Sequence, residues 1–155
     1  EWIDFPREGN NWSYSHARRQ WSLRDSEELR YSYLADFDEE MIKLVKQNAI
    51  LSDGYPYNLH MDEQNKTMVY EHRDLLFIFN WHTSASIPDY ELPVRKAGKY
   101  VLELSTDEER FGGLARQKVG EEHFSFNVEC EDGSIQPRIK IYNTSRTAMV
   151  LRCKE

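Results

Sequence analysis

Apolar positions along this chain follow two different rhythms. Leu29, Tyr33, Leu34, Phe37, Met41, Leu44 and Val45 recur at helical spacing, on a stripe wide enough to require a packing partner. Asp25-Ser26-Glu27-Glu28 places a capping residue and first-turn acids just ahead of it, so the pattern predicts a helix over 26–47. Beyond Ser52-Asp53-Gly54 the texture changes to short apolar runs and period-two alternation between turn clusters. Strands are predicted over 67–71, 75–81, 90–93, 100–105, 123–127, 138–142 and 148–152. Turns are expected at 62–65, 72–74, 96–98, 111–113, 131–133 and 143–145. No strand–helix–strand alternation follows residue 55. The fold class is therefore mainly β: an antiparallel β-sandwich preceded by a loop and one long helix.

The first 24 residues fit neither rhythm. Aromatic residues alternate there with charged and amide groups, and Pro6 and Gly9 punctuate the backbone, with a short helix expected around 15–21. Such a segment reads as a fixed, side-chain-rich loop of the kind that carries function on a rigid scaffold.

Charge narrows the partners. The net charge is −7 with a pI near 5.3, which disfavours a nucleic-acid backbone, since that binding depends on concentrated Lys and Arg. The longest apolar run, Leu75 to Phe79, is too short to span a bilayer. Aromatic residues make up 13% of the chain; rings interleaved with amides suit the apolar faces and hydroxyls of sugars, and suit a β core equally well. The two cysteines, Cys130 and Cys153, form no paired motif, which points to a reducing compartment.

Residues with chemistry are few. Asp4 and Glu8 share an irregular loop, but a two-carboxylate glycosidase needs its acids about 5–10 Å apart across a cleft, and sequence spacing shows no such cleft; capping turns or pairing with Arg7, Arg18 or Arg19 accounts for them. The five histidines show no metal-ligand spacing, so neither metal nor cofactor is expected. Phe111-Gly112-Gly113 lacks the lysine and helix of a phosphate loop and reads as a turn requiring positive φ. Trp81, at the end of the most apolar run, is a sugar platform if exposed and closes the core if not.

Trp2-Ile3-Asp4-Phe5-Pro6-Arg7-Glu8-Gly9-Asn10-Asn11-Trp12-Ser13-Tyr14, followed by Ala17-Arg18-Arg19-Gln20-Trp21, resembles the stretch after the last catalytic motif of eukaryotic-type 1,4-α-glucan (glycogen/starch) branching enzymes of the α-amylase superfamily. The likeness continues through Leu29-Arg30-Tyr31, Phe37-Asp38 and Met41. It returns in Leu75-Leu76-Phe77-Ile78-Phe79-Asn80, Asp89-Tyr90, Gly98-Lys99-Tyr100, Phe111-Gly112-Gly113 and Ser145-Arg146-Thr147-Ala148. Ser15-His16 stands where the family has a His-Tyr pair, and 46–66 and 116–136 match poorly.

The resemblance implies that residues 1–50 are the last loop and helix of a (β/α)8 barrel, and 55–155 the C-terminal all-β domain. It implies a retaining transglycosylation that makes α-1,6 branches, with the nucleophile and acid/base upstream of Glu1 and no catalytic residue in this chain. Trp2, Phe5, Arg7, Trp12 and Trp81 are then the candidate contacts to an α-glucan, in the cytoplasm or, in a starch-making organism, a plastid. A stand-alone carbohydrate-binding or structural β module is the alternative. Without the barrel, the helix stripe, with Leu34, Phe37 and Met41 worth about 1.5–3 kcal/mol each on burial, is expected either to fold back on the sandwich or to pair two copies of the chain.

Overall fold

The computed structural model describes residues 5–15, 17, 21–52 and 54–154. One helical turn, α1 (Trp21–Arg24), precedes the long helix α2 (Tyr31–Gln47). Nine strands follow among the described residues: β1 (Tyr57–Asp62), β2 (Thr67–His72), β3 (Leu75–Asn80), β4 (Ile87–Pro93), β5 (Lys99–Ser105), β6 (Glu122–Phe124), β7 (Phe126–Glu129), β8 (Ile135–Asn143) and β9 (Thr147–Lys154). They form an antiparallel six-stranded sheet, ordered β1-β2-β3-β9-β5-β6, and an antiparallel three-stranded sheet, ordered β4-β8-β7.

The sequence of β3 states its position. Leu75-Leu76-Phe77-Ile78-Phe79 is apolar at every step rather than at alternate ones, as expected of a strand covered on both faces. Leu76 and Ile78 point into the sandwich, where they join Val69, Leu102, Met149 and Leu151 of the large sheet and Leu92, Ile139 and Ile141 of the small one. Leu75 and Phe77 point the other way, onto α2, in a second cluster with Leu44, Phe37, Ile50, Leu104, Phe111 and Val150. The molecule is thus three layers, with the large sheet in the middle.

The helix folds back on the sheet, as one branch of the expectation had it, but with less of its stripe than expected. Phe37 is half-buried and Leu44 buried, whereas Leu34 is 62% and Met41 38% exposed. The sheet is met by one edge of a stripe too wide for a single flat partner. Arg152 fixes the seam: its guanidinium donates to Glu103 Oε2 and Asn48 Oδ1, each at 2.9 Å, and pairs with Asp74.

Several predicted boundaries move. The helix begins at Tyr31 rather than 26, with Arg30 at its N-cap and no side-chain cap. Arg24, ending α1, pairs with Asp25 at 3.0 Å and reaches Asp36 at 3.3 Å, which commits 25–30 to a turn. The strand expected over 123–127 divides into β6 and β7, on different sheets. At the break Ser125 Oγ accepts the Gly98 N–H at 2.8 Å, and the Ser125 N–H returns to Gly98 O at 2.9 Å. β1 is an additional strand; its edge position, polar composition and bulge between Asn58 and His60 hid it from pattern reading. The short helix expected around 15–21 falls largely on residues 16 and 18–20, which lie outside the described residues; α1 is described from Trp21.

Candidate functional site

The described part of the N-terminal loop is organised by its own polar groups. A 3-10 turn runs over Glu8–Asn10, and Asn10 ties it down: its Oδ1 accepts the Arg7 N–H at 2.9 Å, and its Nδ2 donates to Phe5 O at 2.8 Å. Asn11 and Trp12 are consecutive residues at positive φ, 55° and 54°, a conformation that Asn tolerates and Trp rarely adopts. Phe5 (63%) and Trp12 (66%) are exposed, as is Arg7 in the same loop. Trp2 and Asp4 lie outside the described residues.

Trp81 belongs to a different surface. Its backbone N–H donates to Lys66 O at 3.0 Å, just past the end of β3. Its ring lies parallel to Phe79 (9° between planes, centroids 5.3 Å apart) and remains 57% exposed. Met61, Met68, Glu63 and Lys66 share a shallow depression of about 280 Å³ with it, and no residue of the N-terminal loop lines that depression. The structure thus brings Phe5, Arg7 and Trp12 onto one local loop and sets Trp81 on a separate ledge of the large sheet. The pairing of Phe79 with Trp81 carries a signal that sequence reading missed: Phe77, Phe79 and Trp81 recur at period two and so share one sheet face.

Asp62, in the lining of the same depression, anchors a polar cluster also missed in the sequence. Asp62 accepts from Asn65 N–H (2.9 Å), Asn65 Nδ2 (2.6 Å) and the Tyr90 hydroxyl (2.7 Å). Since the Tyr90 proton goes to Asp62, the 2.9 Å contact between His60 Nε2 and Tyr90 Oη requires His60 to donate. Burial pushes the Asp62 carboxyl up, but the Asn65 and Tyr90 donors outweigh it and bring it down to about 2. A carboxylate depressed in the folded state stabilises fully above its unfolded value, near 3.9, and loses that contribution as pH falls toward 2. Urea midpoints measured from pH 4 down to pH 2 are therefore expected to fall less steeply in Asp62→Asn than in the unaltered chain; parallel slopes would rule out this role.

A third feature is an open groove of about 690 Å³ between the N-terminal half of α2 and the loop after β5, lined by Arg30, Tyr33, Leu34, Phe37, Glu109 and Phe111 among others. Phe111 meets Phe37 edge-on (5.4 Å, 81°), and Arg110 reaches Glu40 at 3.6 Å. Gly112, at φ +73°, lies so close to α2 that a Cβ would stand 2.8 Å from the Tyr33 ring. The positive φ read from Phe111-Gly112-Gly113 is present, and its purpose is to press the loop against the helix.

The carboxylates with clearly lowered pKa values are engaged in turns and ion pairs: Asp62 and Asp132 in turns, Asp107 with Arg116, and Glu40 with Lys43. Among the described residues no group of three His, Cys, Asp or Glu side chains is placed to hold a metal ion, and no helix is long and apolar enough to cross a membrane.

Comparison with known proteins agrees with this geometry. Residues 57–154 match the family described as the alpha amylase C-terminal all-beta domain. The chain is 39% identical over 152 residues to a 1,4-alpha-glucan-branching enzyme of Dictyostelium discoideum, covering 98% of this chain and 22% of that protein. It is 38% identical over 155 residues to that of Saccharomyces cerevisiae, covering all of this chain and 22% of the relative. It is 43% identical over 125 residues to the chloroplastic/amyloplastic 1,4-alpha-glucan-branching enzyme of Oryza sativa, covering 81% and 15%. The chain thus spans about a fifth or less of the length of the relatives it matches.

Proposed function

The chain belongs to the alpha amylase C-terminal all-beta domain family, and on that premise we propose that it is the C-terminal part of a 1,4-α-glucan branching enzyme. One observation carries the reading. The likeness to branching enzymes extends over 98% or more of the chain in two relatives, so it includes the loop and α2 ahead of the all-β domain at 57–154. A segment shared with these enzymes but outside the β domain supports a polypeptide that continues upstream.

In this reading the intact protein cleaves an α-1,4-glucan through a glycosyl-enzyme intermediate. It then passes the chain to a glucan 6-hydroxyl, with both carboxylates supplied upstream. Residues 1–50 end the catalytic barrel and 55–155 buttress it. Phe5, Arg7 and Trp12, with Trp2, form a rim that contacts glucan, their rings stacking on pyranose faces. The exposed face of α2, with Leu34, Met41 and Ile42, packs against the upstream part, and in the chain alone pairs with a second copy. Light scattering on the isolated chain then gives more than 18.5 kDa, the mass of one copy; a monomer at all concentrations removes that pairing. The compartment is the cytoplasm, or a plastid as the name of the rice relative indicates for that protein. The test of the reading is the intact mass of the native polypeptide captured by an antibody to this chain. It should be several times 18.5 kDa; a free polypeptide of that size would overturn the assignment.

A further inference from the structure

We propose that the Trp81–Phe79 ledge is a surface site for a linear α-1,4-glucan chain, separate from the N-terminal rim; which glucan it takes rests on the branching-enzyme reading. The ledge is built rather than incidental. The Trp81 N–H is tied to Lys66 O at 3.0 Å. Asn80 Oδ1 accepts the His82 N–H at 2.9 Å, and His82 Nδ1 accepts the N–H groups of Ser84 and Ala85 at 3.2 and 2.9 Å. The chain on both sides of the indole is therefore fixed, and its parallel contact with Phe79 holds the ring while leaving it 57% exposed. A preorganised flat ring of this kind stacks on the apolar face of a pyranose at little entropic loss.

The surroundings select against other occupants. The depression, about 280 Å³, falls just below the range of enclosed ligand sites, which run from about 300 Å³ upward. Glu63 and Lys66 stand at the rim, exposed, and neither side chain pairs with another described residue. Glu63 and Lys66 offer an acceptor and donors to the hydroxyls of a sugar, and with Asp62 the depression carries two acids and one cation, which disfavours an anionic ligand. Asp62 also lines the depression, but its oxygens accept from Asn65 and Tyr90, so its part is to shape the turn carrying Glu63 and Lys66.

The test is affinity electrophoresis in native gels cast with glycogen, run on this chain and on the protein with its upstream part. Maltoheptaose serves as the soluble competitor. Retardation is expected in both, relieved by maltoheptaose, weakened about tenfold or more in Trp81→Ala and largely kept in Trp81→Phe, which retains a ring. Since Trp81 is mostly exposed, thermal unfolding of Trp81→Ala should stay close to that of the unaltered chain, which separates lost binding from lost folding. An unretarded chain, or a Trp81→Ala variant retarded as strongly as its parent, overturns the site. So does a longer protein whose retardation ignores Trp81, because the ledge is then covered by the upstream part. If that longer protein forms branches while its retardation ignores Trp81, the surface site fails and the branching-enzyme reading stands.

Discussion

Leu151→Ala is expected to lower the unfolding free energy by about 2–5 kcal/mol, and the melting temperature by roughly 5–15 °C for a chain of this size. Leu151 is fully buried in β9 at the middle of the large sheet, paired across to Leu76 on one side and Leu102 on the other. Its side chain faces Ile139 and Ile141 of the small sheet in the main core cluster. Truncation removes apolar burial and leaves a cavity between two sheets that hydrogen bonding holds in register, so the site cannot collapse to fill it. Leu51→Ala is the matched control: Leu51 is 88% exposed, and its loss should stay within about 0.5 kcal/mol. Chemical denaturation of the two variants checks the pair, and equal losses would mean that the sandwich interior does not carry the stability.

Asp107→Ala should rank next, at about 2–4 kcal/mol. Asp107 is buried and accepts from Arg116 through Nε at 3.0 Å, Nη2 at 2.8 Å and the backbone N–H at 2.9 Å. Burial raises its carboxyl, and Arg116 with the backbone N–H groups outweighs this, leaving it below the ordinary range. Arg116 in turn donates to Ser145 O at 3.1 Å and touches Ser86. One ion pair thus joins the loop after β5, the start of β4 and the β8–β9 turn. Removing the acid strands a guanidinium whose side chain is 24% exposed, which is why the loss falls short of that for a fully buried pair. Because the folded-state value is depressed, the stabilisation is complete above about pH 4 and fades as pH falls further. The gap between Asp107→Ala and the parent chain should therefore narrow as pH falls below about 4; a gap that stays constant on acidification would contradict the ion-pair account.

What was legible in the sequence was what one dominant period specifies. The doubled apolar run of β3, the alternation of β8 and β9 and the glycine turn at 111–113 all appear where the pattern placed them. The failures have local causes. Asp25-Ser26-Glu27-Glu28 has the composition of a helix start, yet Arg24 bridging to Asp25 and Asp36 spends that stretch on a turn. His123 to Asn127 alternates cleanly, yet the reciprocal Ser125–Gly98 bonds split it between sheets. Both depend on partners far along the chain or on one side chain's choice, which no periodicity records. For the candidate site, residue type was readable and exposure was not. Trp81, at the end of the most apolar run, reads first as a core residue, yet the fold sets Phe79 beneath its ring and solvent above.

On the proposed reading, this chain supports a branching catalyst whose carboxylates lie upstream of it. An iodine-stain assay on amylose, run on the chain alone and on the protein with its upstream part, tests that most directly. The chain alone should leave the stain unchanged at any concentration, and the longer protein should shift it as α-1,6 branches form. Branching by the isolated chain, or none by the longer protein, would contradict that reading.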